Sequence, residues 1–181
     1  MDEVKKHRVS KLDAAKRQLD CAIGLWFEEK DEISTHTLVG AAYQIIHDLN
    51  KKRGGKDLLF DADFIKDEYR KEVREFMRKD FMFFKHADHD PDGVTEFVPV
   101  GTLLFILCGI QTLRNMGERM SDIQSIFAAW MLFNKPEWVS PQHLAAVRDA
   151  IPIEYRAGIT SLSKQDFLQL CQQGLSIKRA H

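Results

Sequence analysis

The sequence has few cysteines, which could cross-link the chain, and few prolines, which would interrupt its helices. Only three cysteines occur, Cys21, Cys108 and Cys171, and they lie far apart without a C-x-x-C pair. This odd, dispersed set argues against a disulfide framework or a thiolate zinc site and indicates a reducing compartment. Only five prolines occur and none precedes Pro91, so no proline interrupts a helix in the first half of the chain.

The chain also lacks a long apolar run and a strong charge of either sign. Its longest apolar run, Val98 to Ile110, is shorter than the about 20 residues that a membrane helix needs. The N-terminal MDEVKKHRVSKLD has no apolar core of a signal peptide. The formal net charge of −1 supplies no overall field toward nucleic acid or anionic lipid. We therefore expect a cytoplasmic protein with no membrane partner.

Apolar side chains instead recur at the 3.6-residue spacing of amphipathic helices, and the alternation of strands is almost absent. We predict an all-α fold, with a single domain over residues 1–181 and frayed ends at 1–9 and 176–181. It should be a bundle of about six to seven helices. The central helix is expected at about 99–117, because apolar residues from Leu103 to Ile110 surround it on all sides.

Capping residues and glycines predict where the helices begin and end. Serines should open helices at Ser10, Ser121, Ser140 and Ser163, and another helix should begin at Ser34 or Thr35. The helix from Ser10 should end near Glu29, and the helix from Ser34 or Thr35 should end before Gly54. The helix from Ser140 should end at about 150, and the helix from Ser163 at Gly174. A helix over 62–86 lies between them.

Two of these helices have an apolar side that we expect to be buried. In the second helix it is formed by Leu38, Ala41, Ala42, Ile45, Ile46 and Leu49. That assignment leaves a solvated stripe with His36, Gly40, Tyr43 and His47. In the third helix the buried side is formed by Ile65, Tyr69, Val73, Phe76, Met77, Phe83 and Phe84.

The segment FFKHADHDPDG, residues 83–93, carries two histidines and three aspartates. One interpretation is a calcium or magnesium site, since Asp88, Asp90 and Asp92 alternate as in a calcium loop. Gly93 at the sixth position fits that loop, and Glu96 at the ninth is acceptable. The twelfth position is a proline instead of the bidentate Glu, so the site would be degenerate.

A second interpretation is a transition-metal site that uses His86, His89 and an aspartate, because imidazole suits zinc, iron or manganese. A further ligand would come from another helix, where His36 and His47 are candidates. These two stand roughly 16 Å apart along one helix, so a metal could recruit only one of them.

A third interpretation is a ribonuclease site. The pattern Arg78-Lys79 followed by His86 near a helix end resembles the motif of the HEPN superfamily, whose members are helical bundles and in many cases RNases. Lys79 has the spacing of the motif's arginine but is a lysine, and Arg78 lies one residue too far away. The resemblance implies a dimer that cuts RNA without a metal. His86 would then be the general acid or base, with Lys79 or Arg78 stabilising phosphate charge.

Residues 10–135 also resemble a bacterial family through KLDAAKRQLDCAIGLWF, STHTLVGAAYQIIHDL and an FFKHAD-type motif. That resemblance implies an all-helical fold and no established activity. The same motif is also explained without any activity: Lys85 and His86 would complement the end of the helix dipole, and the aspartates would form turns.

Other catalytic signatures are absent: the sequence has no Gly-rich phosphate loop, G-x-S-x-G or H-E-x-x-H. Our leading hypothesis is therefore a module that binds a protein partner or forms a homodimer. Candidate surfaces are the Gly40/Tyr43/His47 stripe and the aromatic residues Trp130, Phe133 and Trp138. The alternative is an enzyme, a metal-dependent hydrolase or a HEPN-like RNase centred on His86, with a divalent cation or RNA as its ligand.

Overall fold

A computed structural model describes residues 6–60, 66–88, 90–138 and 158–180 of the chain. These ranges contain six α-helices, a short helical stretch at 158–160, two 3-10 turns at Asp67–Tyr69 and Pro136–Trp138, and no strand. The helices are α1 Lys11–Phe27, α2 Glu32–Lys52, α3 Arg70–Phe83, α4 Val100–Asn115, α5 Asp122–Asn134 and α6 Lys164–Ala180. The predicted all-α class is confirmed. The helix expected from Ser140 lies outside the described residues.

Local capping by serine side chains explains where three of the six helices, α1, α5 and α6, begin. Before α1, the Ser10 hydroxyl accepts a hydrogen bond from the Asp13 amide at 3.0 Å and donates one to its carboxylate at 2.6 Å. Ser121 and Gln124 form a capping box before α5. These side chains satisfy amides that have no partner within the helix. The predicted starts at Ser10 and Ser121 are confirmed.

The helix ends follow the glycines in one case and not in another. Gly54, with a φ of 75°, follows α2 as predicted. The Ser163 hydroxyl caps the start of α6 by accepting a hydrogen bond from the Asp166 amide at 3.1 Å. At its other end, α6 continues past Gly174 to Ala180. Gly174 is not among the residues with positive φ. A glycine ends a helix only where it adopts the left-handed conformation, so the predicted stop at Gly174 is wrong.

The contacts within the chain define two compact units, of which the first comprises Met1–Ala22 and Glu32–Arg119. Its most extensive helix contact joins α2 and α4. No residue of α4 between Gly101 and Leu113 is exposed, as predicted for the central helix. A side chain at Gly109 would lie 3.5 Å from Leu19, so this glycine marks a close approach of α1 and α4.

The second unit comprises Ile23–Asp31 and Met120–His181. Aromatic rings dominate its described core. The Trp26 ring lies edge-on to Trp130 with centroids 4.7 Å apart, and Phe27 stacks on Phe167. The ammonium group of Lys164 lies 4.4 Å from the centre of the Trp26 ring. Trp130 is thus part of a core and not a free surface.

The helix α2 buries a different side from the predicted one. Ala42 and Ile46 are buried as expected, but Leu38, Ala41, Ile45 and Leu49 are only half-buried. The remaining buried positions are Thr35, His36, Val39, Gly40, Tyr43, His47 and Asn50. The predicted solvated stripe is therefore wrong, and it cannot serve as a dimer surface. Hydropathy alone misassigned it because its polar groups have partners inside the fold.

The helix α3 is also turned relative to the prediction. It is preceded by the 3-10 turn Asp67–Tyr69 and ends at Phe83, so it is shorter than the predicted 62–86. Phe81 is fully buried, whereas Phe76 and Tyr69, both expected inside, are 76% and 50% exposed. A side chain at Gly40 of α2 would come within 2.5 Å of the Phe81 ring, so that glycine creates the space that Phe81 fills.

Candidate functional site

Three aromatic residues follow one another at seven-residue spacing along the exposed side of α3 and the 3-10 turn before it, and we call them the aromatic stripe: Tyr69, Phe76 and Phe83. Two of them are largely exposed and Phe83 is half-buried. Because Phe81 follows Phe76 by five residues, the two side chains lie roughly 140° apart around the helix. Seating Phe81 in the core therefore directs Phe76 toward solvent.

A groove beside the end of α3 brings together several residues that the sequence singled out. This groove, which we call the His86 groove, has a volume of about 420 Å³ and is lined by Lys79, Met82, Phe83, His86, Asp88 and Asp90. Two predicted RNase residues, Lys79 and His86, thus share one groove with two of the predicted cation ligands. His86, Asp88 and Asp90 are all exposed.

Arg78 lies in a neighbouring groove of about 530 Å³, lined by Lys71, Arg74, Glu75, Arg78, Lys79 and Met82. Its guanidinium group contacts the Met82 sulfur at 4.0 Å. Lys71 and Glu75 pair at 3.8 Å on the surface. Lys79 lines both grooves, so it joins the basic side of α3 to the His86 groove.

The predicted cation ligands lie in an exposed loop. Asp88, Asp90, Asp92 and Glu96 are exposed, and the Gly93 amide donates to the Asp90 carbonyl at 2.9 Å to close a turn. A side chain at Gly93 would come within 2.6 Å of the Asp90 carboxylate, which therefore folds over the turn. Within the described ranges, no group of three or more His, Cys, Asp or Glu side chains is placed to hold a metal ion. His89 lies outside those ranges, so the cation site stays a prediction.

A buried polar network on α2 was missed by sequence reasoning. His47 lies 2.9 Å from one oxygen of Asp57, and the Tyr43 hydroxyl donates to the other oxygen at 2.8 Å. The Leu59 amide also donates to Asp57, at 3.2 Å. These bonds tie the segment after α2 to the helix itself. The helical pattern of α2 gave no signal for this network, because Asp57 lies outside the helix.

The pKa values of this network follow from burial and pairing. Burial by itself would raise the pKa of Asp57, but hydrogen bonds from His47, Leu59 and Tyr43 outweigh it and hold the pKa well below the usual range. Burial, and then the Asp57 charge, raise the pKa of Tyr43. Burial and Asp57 also raise the pKa of the Cys108 thiol to about 11. Asp57 is thus a buried anion that is satisfied by its donors.

His36 occupies a second buried polar position, at the start of α2. Its Nδ1 atom lies 2.9 Å from the Thr102 hydroxyl of α4. Among the described residues, its Nε2 atom has no hydrogen-bond partner. The surrounding rings are Phe81, Phe84, Phe97 and Phe105. Burial lowers the pKa of His36, opposed by the nearby charge of Asp80, so the ring is neutral in the folded protein at pH 7.

Comparisons with known proteins return no match: neither a family model, nor a curated protein, nor a solved structure is similar to this chain. The resemblances to the HEPN superfamily and to the bacterial FFKHAD-type family thus stay predictions. Within the part of the chain that the structure describes, no helix has the length and apolarity required to cross a bilayer.

Proposed function

We propose that this chain is a binding module that engages its partner through the exposed side of α3. The observation that carries this proposal is the aromatic stripe, with Phe76 76% exposed. Apolar surface of this kind is unfavourable in water, and aromatic residues are enriched at the centres of protein interfaces. A partner that covers the stripe would remove that surface from water.

The folding of α3 does not itself require the stripe. Phe81, on the opposite side of the helix, supplies the fully buried contact with α2. Lys79 and Glu72, beside the stripe, are also exposed. Aromatic residues between exposed charges are what an amphipathic helix presents to a partner helix or groove.

Site-specific photo-crosslinking in the native cells tests the proposal. A benzophenone amino acid replaces Phe76 in one variant and Lys71 in a matched control. The Lys71 side chain is 86% exposed but lies on another side of α3. We expect a covalent product of higher mass from position 76 and none from position 71. Equal products at both positions, or none at position 76, would contradict the proposal.

A second candidate function is hydrolysis in the His86 groove, as a HEPN-like RNase or a metal-dependent hydrolase. It is supported by one observation: Lys79 and His86 line the same groove as Asp88 and Asp90. In the RNase version, His86 would transfer the proton and Lys79 would stabilise charge on the phosphate. In the hydrolase version, the aspartates would hold the cation, because carboxylate oxygens suit magnesium and calcium.

Cleavage assays with single-stranded RNA separate the two versions. RNase activity should survive EDTA and be lost in His86→Ala and Lys79→Ala. A metal-dependent hydrolase should carry a stoichiometric metal in elemental analysis and lose it in His86→Ala. Lys71→Ala is the control, since it removes a lysine that does not line this groove. RNA cleavage that persists in His86→Ala at the wild-type rate would argue against an active site here.

A further inference from the structure

We infer that the partner of the aromatic stripe is a second copy of this chain, with the two α3 helices packed antiparallel and Phe76 of both copies at the two-fold axis. This inference rests on the proposed function, because it names the occupant of the same side of α3. It concerns a surface that differs from both dimer surfaces expected from the sequence.

The spacing of the stripe favours a helix as its occupant. Residues seven apart lie almost above one another on an α-helix, and such a seam packs against a matching seam on a second helix. Tyr69, Phe76 and Phe83 form a seam of this kind over the 14 residues of α3 and the turn before it. A second copy of the chain carries the same three residues and therefore provides a matching seam.

Two-fold symmetry gives each aromatic residue of the stripe an aromatic partner. In an antiparallel pair centred on Phe76, a residue seven positions before the centre faces a residue seven positions after it. Tyr69 therefore faces the partner's Phe83, and Phe83 faces the partner's Tyr69. Aromatic pairs of this kind are stabilising beyond the area that they bury.

The charges beside the stripe fit the antiparallel arrangement. Glu72 and Lys79 lie on the same side of Phe76, roughly 40° and 60° around the helix. Glu72 precedes Phe76 and Lys79 follows it. In the antiparallel pair Lys79 therefore faces the partner's Glu72, and the symmetry repeats this ion pair on the other copy. Neither side chain has an ion pair among the described residues.

The other edge of the stripe introduces no conflict. There Asp80 lies after Phe76 and Val73 before it, so Asp80 faces the partner's Val73 instead of a second carboxylate. In a parallel pair the two-fold axis runs along the helices, so the edge with Glu72 and Lys79 would face the partner's edge with Val73 and Asp80. Lys79 would then face a carboxylate but Glu72 would face Val73. The antiparallel pair is the arrangement in which both Glu72 and Lys79 gain an opposite charge, so the charge pattern favours it.

The size of the surface sets the expected strength. A helix pair of this length is small beside the roughly 1,600 Å² of a standard stable interface. We therefore expect a reversible dimer with a dissociation constant on the order of micromolar. The interface depends on its central aromatic residue more than on its rim charges.

Analytical ultracentrifugation of the full chain, from about 1 μM to about 200 μM, measures the dissociation constant. Phe76→Glu should weaken association at least about 30-fold, since it places two carboxylates at the two-fold axis. Lys79→Glu should weaken it about tenfold, because the new carboxylate faces the partner's Glu72. Adding Glu72→Lys to Lys79→Glu should restore the wild-type value.

Lys71→Glu is the matched control, because it makes the same charge change roughly 140° away from Phe76 around the helix. It should leave the dissociation constant unchanged. Circular dichroism should show that all variants keep the wild-type helix content, since the altered side chains are exposed. A wild-type chain that stays monomeric at the highest concentration would overturn the inference. So would equal effects of Lys79→Glu and Lys71→Glu, or a double variant as weak as Lys79→Glu alone.

The photo-crosslinking at position 76 separates this inference from the proposed function. A product with twice the mass of the chain supports both. A product with a different protein, from a chain that is monomeric in the centrifuge, overturns the inference and leaves the proposed function standing. The absence of any product at position 76 overturns both.

Discussion

The helices α2 and α3 depart from simple amphipathic behaviour in opposite ways. The helix α2 buries polar side chains, with His36 2% and His47 6% exposed. The helix α3 exposes aromatic side chains, and among its residues whose burial is described only Phe81 is completely buried. Polar groups can be buried at little cost where hydrogen-bond partners meet them, as Asp57 and Thr102 do. The exposed aromatic groups have no such compensation among the described residues, so the comparison points to a partner for α3.

The largest expected effect contrasts two phenylalanines of α3. Phe81→Ala should lower the free energy of unfolding by about 4 kcal/mol, because it leaves a cavity beside α2. Phe76→Ala should change it by less than about 0.5 kcal/mol at low protein concentration, because that ring is in water. Urea denaturation measured at about 1 μM checks both values. Similar losses for the two variants would mean that the stripe belongs to the core.

The next effect tests whether the buried polar side of α2 depends on its partners. Asp57→Ala should lower the free energy of unfolding by about 3 kcal/mol, because His47 and Tyr43 lose a buried acceptor. Asp48→Ala is the control. Its side chain is 60% exposed and lies 3.9 Å from His47, so it should have little effect. Denaturant titrations of both variants give the comparison, and equal losses would argue against a structural role for Asp57.

A smaller effect tests the contact between α2 and α3. Gly40→Ala should destabilise the fold by about 2 kcal/mol, because the new methyl group overlaps the Phe81 ring. Most of that loss should disappear in a Phe81→Ala background, since the clash requires the ring. Gly24→Ala in α1 is the control, because its methyl group would meet Ile123 at an ordinary 3.6 Å. It should be neutral or stabilising, and destabilisation by both glycine variants would remove the special role of Gly40.

The smallest effect concerns pH and His36. Because burial lowers its folded pKa below the usual 6.5, the unfolded chain binds the proton more readily. The contribution of neutral His36 to stability is therefore present above pH 6.5 and is lost as the pH falls through the folded pKa. Urea denaturation between pH 7 and pH 5 should show a smaller loss of stability in His36→Gln than in the wild type. A wild-type slope in His36→Gln would contradict the assignment.

The starts of α1, α5 and α6 were predictable because their causes are local, whereas α2 begins at Glu32 and not at the predicted Ser34 or Thr35. Ser10 and Asp13, Ser121 and Gln124, and Ser163 and Asp166 each act within one turn of helix. The central helix was predictable because α4 is apolar on all sides. These features need no knowledge of the rest of the fold.

The orientation of α2 and α3 depends on residues that are distant in the sequence, and it was not predicted. Asp57 follows Tyr43 by 14 residues and lies in a non-helical segment, so the helical pattern of α2 carries no sign of it. The seat of Phe81 is set by Gly40, on another helix. Hydropathy measures transfer to an apolar environment, and it cannot register a partner that folding brings from elsewhere.

The candidate site was predicted in part. The sequence singled out Lys79, His86, Asp88 and Asp90, and these line one groove. It placed Tyr69, Phe76 and Phe83 in the core, because aromatic side chains at helical spacing are normally buried. Their exposure follows from the burial of Phe81 against α2, which the sequence does not indicate. The surface that supports the proposed function was therefore not predictable from the sequence.

Hydroxyl-radical footprinting with side-chain resolution tests the central claim, that α3 has a core side at Phe81 and a binding side at Phe76. We predict that in dilute protein Phe76 and Tyr69 are oxidised while Phe81 is protected. In concentrated protein all three should be protected. Protection of Phe76 at every dilution, or oxidation of Phe76 and Phe81 to the same extent, would contradict the account.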